Sequence, residues 1–558
     1  MHRKKRSLVL AVVLPFALLA ACTSDDNPDS LDSNTVEETT ADTADTADTV
    51  GPEPDATDVP DTTSDTTSNT APDTTEASEV TQPPGPTDAP DTTDAPGTTV
   101  AANVGEIEWE EQREGIETGS LEVPIDYSDP SKGTFDLFIA RHLATDPSKR
   151  IGSLLVNPGG PGFGGSDFAL FAENIYSETL LEHFDIVGWD PRGTGLTEPA
   201  IDCIDDYDRY FASTDITPDD EAERQQIVDL AKEFQELCVE NNAGIIEHVG
   251  TNNSARDMNS IRRALGEEEI TYFGFSYGSE LGATWATLFP ETVRAAVLDG
   301  AADPDADFFE SSLQQVRGFE GSITTFLAQC SGDEDCAFHN GGDAEGAFDA
   351  LMLEIDENPV PSEPDRPDVT RGVALTAVAQ AMYSESLWDQ LEEALADAQD
   401  GDGSGLLGLY DQYYVRNFDG THDNSLEAFQ TISCVDAVER PTVEEEDELA
   451  DEFTAAAPRF APGTTGGYFC TFFPPSIDPR IEVTGEGAGP ILVVGTTGDP
   501  ATPLESTENM AEALEQGVLL VVEADQHTGY HVNECSTSTV DDYLVDLVVP
   551  ESGFTCEA

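Results

Sequence analysis

The stretch Ile270-Thr271-Tyr272-Phe273-Gly274-Phe275-Ser276-Tyr277-Gly278-Ser279-Glu280-Leu281-Gly282-Ala283-Thr284-Trp285-Ala286-Thr287-Leu288-Phe289-Pro290 decides the fold. Its first six residues read as a short buried strand. Residues 280–288 read as a helix that stops at Phe289-Pro290. Between them lies Gly274-Phe275-Ser276-Tyr277-Gly278, a G-x-S-x-G pattern in the strand–corner–helix setting of a nucleophile elbow. The pattern alone is weak in a chain with 46 glycines; the strand and helix around it give it meaning. Side chains at the flanking glycines would crowd the crossing of strand and helix. A serine held on that corner projects from a strand end, beside the positive N-terminal end of a helix.

A serine hydroxyl needs a base, and the base needs an orienting acid. Leu121–Pro124 and Phe135–Ala140 read as early antiparallel strands, and short apolar strands recur at Ser153–Val156, Phe184–Trp189, Ala295–Asp299, Ile491–Val494 and Val518–Val522. Their alternation with helical stretches predicts an α/β fold with a mostly parallel central sheet covered on both faces. Sites on such sheets lie beyond the carboxyl ends of the strands. Asp499 follows the strand ending at Val494 and His527 the one ending at Val522. The order Ser276, Asp499, His527 is that of an α/β-hydrolase triad. His531 is the competing base, set further from the strand end. The loop Asn157-Pro158-Gly159-Gly160-Pro161-Gly162 after Val156 offers backbone N–H groups for an oxyanion. Gly160 and Tyr277 are the expected pair, with Gly159 the alternative to Gly160.

Outward from this core the composition changes. Residues 1–22 read as a signal peptide, with basic residues before an apolar run from Leu8 to Ala21. The run is too short to span a bilayer comfortably, and no second one approaches ~18 residues. Leu19-Ala20-Ala21-Cys22 resembles a bacterial lipobox, which implies lipidation at Cys22 and a lipid anchor in the membrane. Residues 23–103 are rich in Asp, Thr, Pro, Ala and Ser, with Ala-Asp-Thr repeated at 41–49 and no Lys, Arg or aromatic residue. Such a segment is expected to be a disordered linker, and a flexible coil of this length reaches about 50 Å.

The net charge of −88 is carried mostly beyond this linker. It excludes nucleic acid as a partner and repels anionic lipid. Eight cysteines follow Cys22, and their even number in an exported chain argues for four disulfides. Proximity pairs 203 with 238, 330 with 336, 434 with 470 and 535 with 556. No C-x-x-C pair or histidine cluster points to a metal, and no cofactor is expected. Residues 104–300 and 481–558 are then the two parts of the sheet domain. Residues 301–480, where helical patterns dominate, read as a cap inserted between them.

The glycine loop 157–162 is similar to the His-Gly-Gly-Pro-Gly loop of proline iminopeptidases, with Asn-Pro in place of the histidine. Asp190-Pro191-Arg192-Gly193 resembles their Asp-x-Arg-Gly turn, although Thr197 stands where a serine is usual. Gly498–Pro503, Ile432–Asp436 and Tyr383–Trp388 resemble the exported tripeptidyl aminopeptidases of actinobacteria, with their TAP-like C-terminal region. The resemblance implies a serine exopeptidase acting on peptides with a free N-terminus. A carboxylic-ester hydrolase on the same fold, and a non-catalytic peptide-binding surface lipoprotein, are the alternatives. The oligomeric state and the residues that hold a substrate amine are not legible.

Overall fold

The computed structural model describes residues 105–213, 216–218, 220–461 and 467–557. The expectations for 1–22, for the linker 23–103 and for Cys22 lie outside the described residues. One ten-stranded sheet organises the rest. Its strands are β1 (Glu110–Arg113), β2 (Ile116–Pro124), β3 (Thr134–His142), β4 (Gly152–Asn157), β5 (Phe184–Trp189), β6 (Ile270–Phe275), β7 (Val293–Asp299), β8 (Ile491–Thr496), β9 (Gly517–Val522) and β10 (Phe554–Cys556). Their order is β1-β2-β3-β5-β4-β6-β7-β8-β9-β10. The first three pair antiparallel, and β3 joins β5 antiparallel. From β5 to β10 every pairing is parallel.

The parallel strands read as apolar runs because both faces are buried. Successive side chains alternate between two cores. Leu154, Val156, Phe273 and Val494 face one, with Leu180 and Leu544 from covering helices. Leu155, Tyr272, Leu298 and Val493 face the other, with Met258, Leu281 and Trp285.

Two strands were not foreseen. All four residues of β1 are exposed, so Glu-Glu-Gln-Arg carries no alternation to read. The three-residue β10 ends at Cys556, whose disulfide to Cys535 ties it to the helix Glu534–Asp546. All four disulfides join the cysteines that proximity paired.

Between β7 and β8 the helices Phe308–Gly332, Ala344–Glu357, Arg371–Met382, Trp388–Gln399, Ser404–Tyr413 and Val443–Ala456 close around a third apolar core, which includes Phe319, Phe348, Val378 and Leu395. The described residues between β7 and β8 are mostly helical. Among the described residues no helix is long and apolar enough to cross a membrane.

Candidate active site

The corner begins where β6 stops at Phe275. Ser276 has φ 55° and ψ −127°, and the helix Tyr277–Leu288 starts directly after it. A positive φ on a serine costs about 1–3 kcal/mol and persists only where the surroundings enforce it. Here the Ser276 N–H donates to the carbonyl of Asp299 (2.8 Å), and Tyr272 Oη–H donates to the carbonyl of Gly278 (2.7 Å). A Cβ on Gly274 would lie 2.3 Å from the Gly278 carbonyl oxygen. Strand and helix therefore cross too closely for any other residue.

Asp499 follows β8 in a turn of its own making. Its Oδ1 accepts the N–H groups of Ala501 (2.9 Å) and Thr502 (2.8 Å). Its Oδ2 accepts Thr502 Oγ1–H (3.1 Å) and Thr528 N–H (3.3 Å). His527 Nδ1 lies 2.9 Å from each carboxylate oxygen. An ionised carboxylate only accepts, so Nδ1 carries the proton and Nε2 the lone pair. His527 is 8 % exposed. Burial opposes its charging, but Asp499, and behind it Asp299, outweigh burial and raise its pKa above that of an ordinary histidine.

The imidazole stands at the serine corner. A Cβ on Gly300 would lie 2.9 Å from His527 Cε1, and Gly300 follows the residue that holds the Ser276 N–H. The backbone N–H of His527 donates to the Tyr383 carbonyl (3.1 Å), and the Tyr383 ring packs edge-on at 5.5 Å. His527 Nε2 is buried and makes no hydrogen bond; Ser276 Oγ is not bonded to it. Catalytic contacts in free enzymes are often long and tighten when substrate arrives. His531 goes elsewhere, its Nδ1 3.4 Å from Thr537 Oγ1.

The glycine loop runs against the corner. A Cβ on Gly159 would be 2.8 Å from Ser276 Cβ and 3.2 Å from Tyr277 N. The Gly159 N–H donates to Asn157 Oδ1 (3.0 Å), whereas the Gly160 N–H finds no acceptor among the described residues. Tyr277 N–H belongs to the first turn of its helix, where intrahelical acceptors are lacking.

Other motif residues build the scaffold. Asp190 accepts the N–H groups of Ser166 and Leu196, and Thr197 Oγ1–H donates to the Asp190 carbonyl. A hydroxyl is what that turn requires, so threonine does the work of serine. Buried Asp436 accepts from Thr251 N–H (2.8 Å) and Oγ1 (2.6 Å), and Thr251 Oγ1 meets Tyr277 Oη at 2.5 Å. Burial, with nearby Glu280, pushes the Asp436 carboxyl up to about 7. Sequence reasoning missed Thr502, Tyr383 and Asp299. Thr502 and Tyr383 lie inside motifs that carry the resemblance, and Asp299 is a polar residue ending an apolar strand, but their roles were not read.

A sheet of this topology, with a strained serine corner and a buried Asp–His pair beside it, defines a serine hydrolase. Residues 152–339 match the family described as alpha/beta hydrolase fold, and residues 460–556 the family described as TAP-like protein. The chain belongs to the α/β-hydrolase family with a TAP-like C-terminal region. It is 35 % identical over 466 residues to the serine protease Hip1 of Mycobacterium tuberculosis, covering 79 % of this chain and 87 % of that one. It is 33 % identical to carboxylesterase B of the same organism, covering 78 % and 85 %. Its identity to the tripeptidyl aminopeptidase of Streptomyces lividans is 29 %, covering 79 % and 83 %.

Proposed function

We propose that this serine hydrolase is a cell-surface aminopeptidase that releases short peptides from free N-termini. Ser276 attacks the scissile carbonyl, His527 Nε2 takes its proton and returns it to the leaving amine, and Asp499 holds the imidazole tautomer and stabilises its cation. The N–H groups of Gly160 and Tyr277 receive the oxyanion. The observation that carries the reading is the Asp499–His527 pair, with both carboxylate oxygens 2.9 Å from Nδ1. It leaves Nε2 buried, unprotonated and without a partner beside the serine corner.

The names of two relatives, serine protease and tripeptidyl aminopeptidase, support a peptide substrate. The helical insertion 301–480 is read as the cap that restricts entry to chain ends. An acidic chain suits a substrate that presents a free amine. The lipobox-like Cys22 supports an anchor on the outer membrane face. The name of a third relative, carboxylesterase B, favours ester hydrolysis as a second reading.

Two measurements test this. Ser276→Ala should abolish labelling by a fluorophosphonate, and labelling at the wild-type level refutes the nucleophile. Free peptide anilides should be cleaved and their N-acetylated forms spared. Equal cleavage of both removes the aminopeptidase and leaves the esterase or an endopeptidase.

A further inference from the structure

Asp299 ends β7, the strand between the one that delivers Ser276 and the one that delivers Asp499. In register it stands opposite Phe275 of β6 on one side and Val494 of β8 on the other. It is fully buried. Three of its oxygens are engaged, all toward the proposed triad. Its carbonyl accepts the Ser276 N–H (2.8 Å). Its Oδ1 accepts the N–H of Gly529 (2.7 Å), and its Oδ2 that of Tyr530 (2.8 Å). The loop bearing His527 is thus gripped by two carboxylates. Asp499 takes the ring and the Thr528 N–H; Asp299 takes the next two N–H groups.

We infer that Asp299 is a positioning residue, a clamp that sets Ser276 and the His527 loop at a fixed separation from one strand end. The inference rests on the triad reading above. A side chain that only filled this space would not need a charge, because burying a carboxylate is costly without full pairing. Two backbone N–H groups supply the pairing, and they are the ones that fix where His527 leaves the loop, just before the left-handed Thr528 (φ 70°). The titratable groups whose charge reaches Asp299 are His527 and Asp499. Burial pushes the Asp299 carboxyl up to about 6, against the pull of the two N–H groups and of His527. Asp299 in turn helps hold a proton on His527.

The test is Asp299→Asn in the full-length protein, with p-nitrophenyl butyrate as probe and melting as the check on folding. An asparagine offers one acceptor and one donor to two N–H groups, so the loop must shift. Misplacing a reacting group by about 1 Å costs about 100-fold; kcat should fall by about that factor with KM unchanged. The acid limb of kcat/KM should move to lower pH, since a negative charge that favours the imidazolium is gone. A folded variant with wild-type kcat and acid limb overturns the inference, as does a loss confined to KM.

If Asp299→Asn does not fold, Gly529→Ala reaches the same contact from the loop. Its Cβ would lie 2.9 Å from Val494 Cγ1 and from Val522 Cγ2, lifting the loop with the carboxylate intact. The same loss of kcat at constant KM is expected, and wild-type kcat overturns the clamp. Ser276→Ala separates the two claims. If it stays active the triad reading falls; if it is inert while Asp299→Asn is wild-type, only the clamp falls.

Discussion

At the scale of single residues, the chemistry turns on which imidazole nitrogen carries a proton. Asp499 decides this, since its two oxygens face Nδ1 at 2.9 Å. In Asp499→Asn the amide can present its N–H₂ group to Nδ1 and draw the proton to Nε2, the wrong tautomer for a base. Loss of the acid in a Ser-His-Asp triad lowers kcat about 10⁴-fold, and kcat for p-nitrophenyl butyrate should fall comparably. The pH profile should change too. In the proposed mechanism the active form is the neutral imidazole, and Asp499 raises its pKa, so wild-type activity should be lost as pH falls through a value above that of an ordinary histidine. Without the carboxylate that limb moves acidward. An unchanged limb with unchanged kcat removes Asp499 from the mechanism. The three triad candidates could be read from sequence because each follows an apolar strand. Which glycine N–H stays free could not, since that depends on where the Asn157 amide points. Thr502 and Asp299 were hidden for the same reason: their work lies in directions of bonds, which residue type does not encode.

At the scale of elements, the Asp-Pro-Arg-Gly turn after β5 joins pieces far apart in sequence. Arg192 is fully buried against Asp257, with Nε to Oδ2 at 2.7 Å and Nη2 to Oδ1 at 2.6 Å. Its Nη1 also donates to the carbonyls of Ile125 and His248. One guanidinium thus ties the end of β2, the turn after β5 and the helix Thr251–Leu265. Breaking a buried pair by removing one partner costs about 3–5 kcal/mol, because it strands the other charge. Asp257→Ala should destabilise by that amount in chemical denaturation, whereas exposed pairs such as Lys149–Glu182 should cost under about 1 kcal/mol. Equal small losses at both sites would show that water reaches Arg192. The sequence showed the turn but not this partner, because Asp257 sits among polar residues with no apolar run to mark its burial. Ten of that helix's fifteen residues are charged or polar enough to hide its buried face. The buried parallel strands, by contrast, announced themselves as apolar runs, and β1, wholly exposed, did not.

At the scale of the whole molecule, the composition sets a condition on stability. The chain holds 112 acidic against 24 basic residues. Many of the cations in the folded part are already paired, Arg366 with Asp208 and Asp411, and Arg459 with Glu345 and Asp349. Carboxylates so outnumber cations that most of them repel one another across the surface. Unfolding spreads these charges apart, and the compact state bears the larger repulsion. Salt shortens the range of that repulsion from about 30 Å at 0.01 M to about 3 Å at 1 M. The melting temperature should therefore rise steadily with sodium chloride over this range. A gain of about 1 kcal/mol corresponds to roughly 2–4 °C even in a domain of 150–250 residues, well within calorimetric reach. Sodium chloride is the informative salt, since sulfate would also strengthen apolar burial and confound the reading. A control separates surface repulsion from the buried pairs: Asp257→Ala should gain as much from salt as the wild-type protein, because its lost partner lies out of reach of screening ions. A melting temperature that is flat or falls with salt would show that the carboxylates are already neutralised, by bound cations or by raised pKa values, and that the charge count overstates the field.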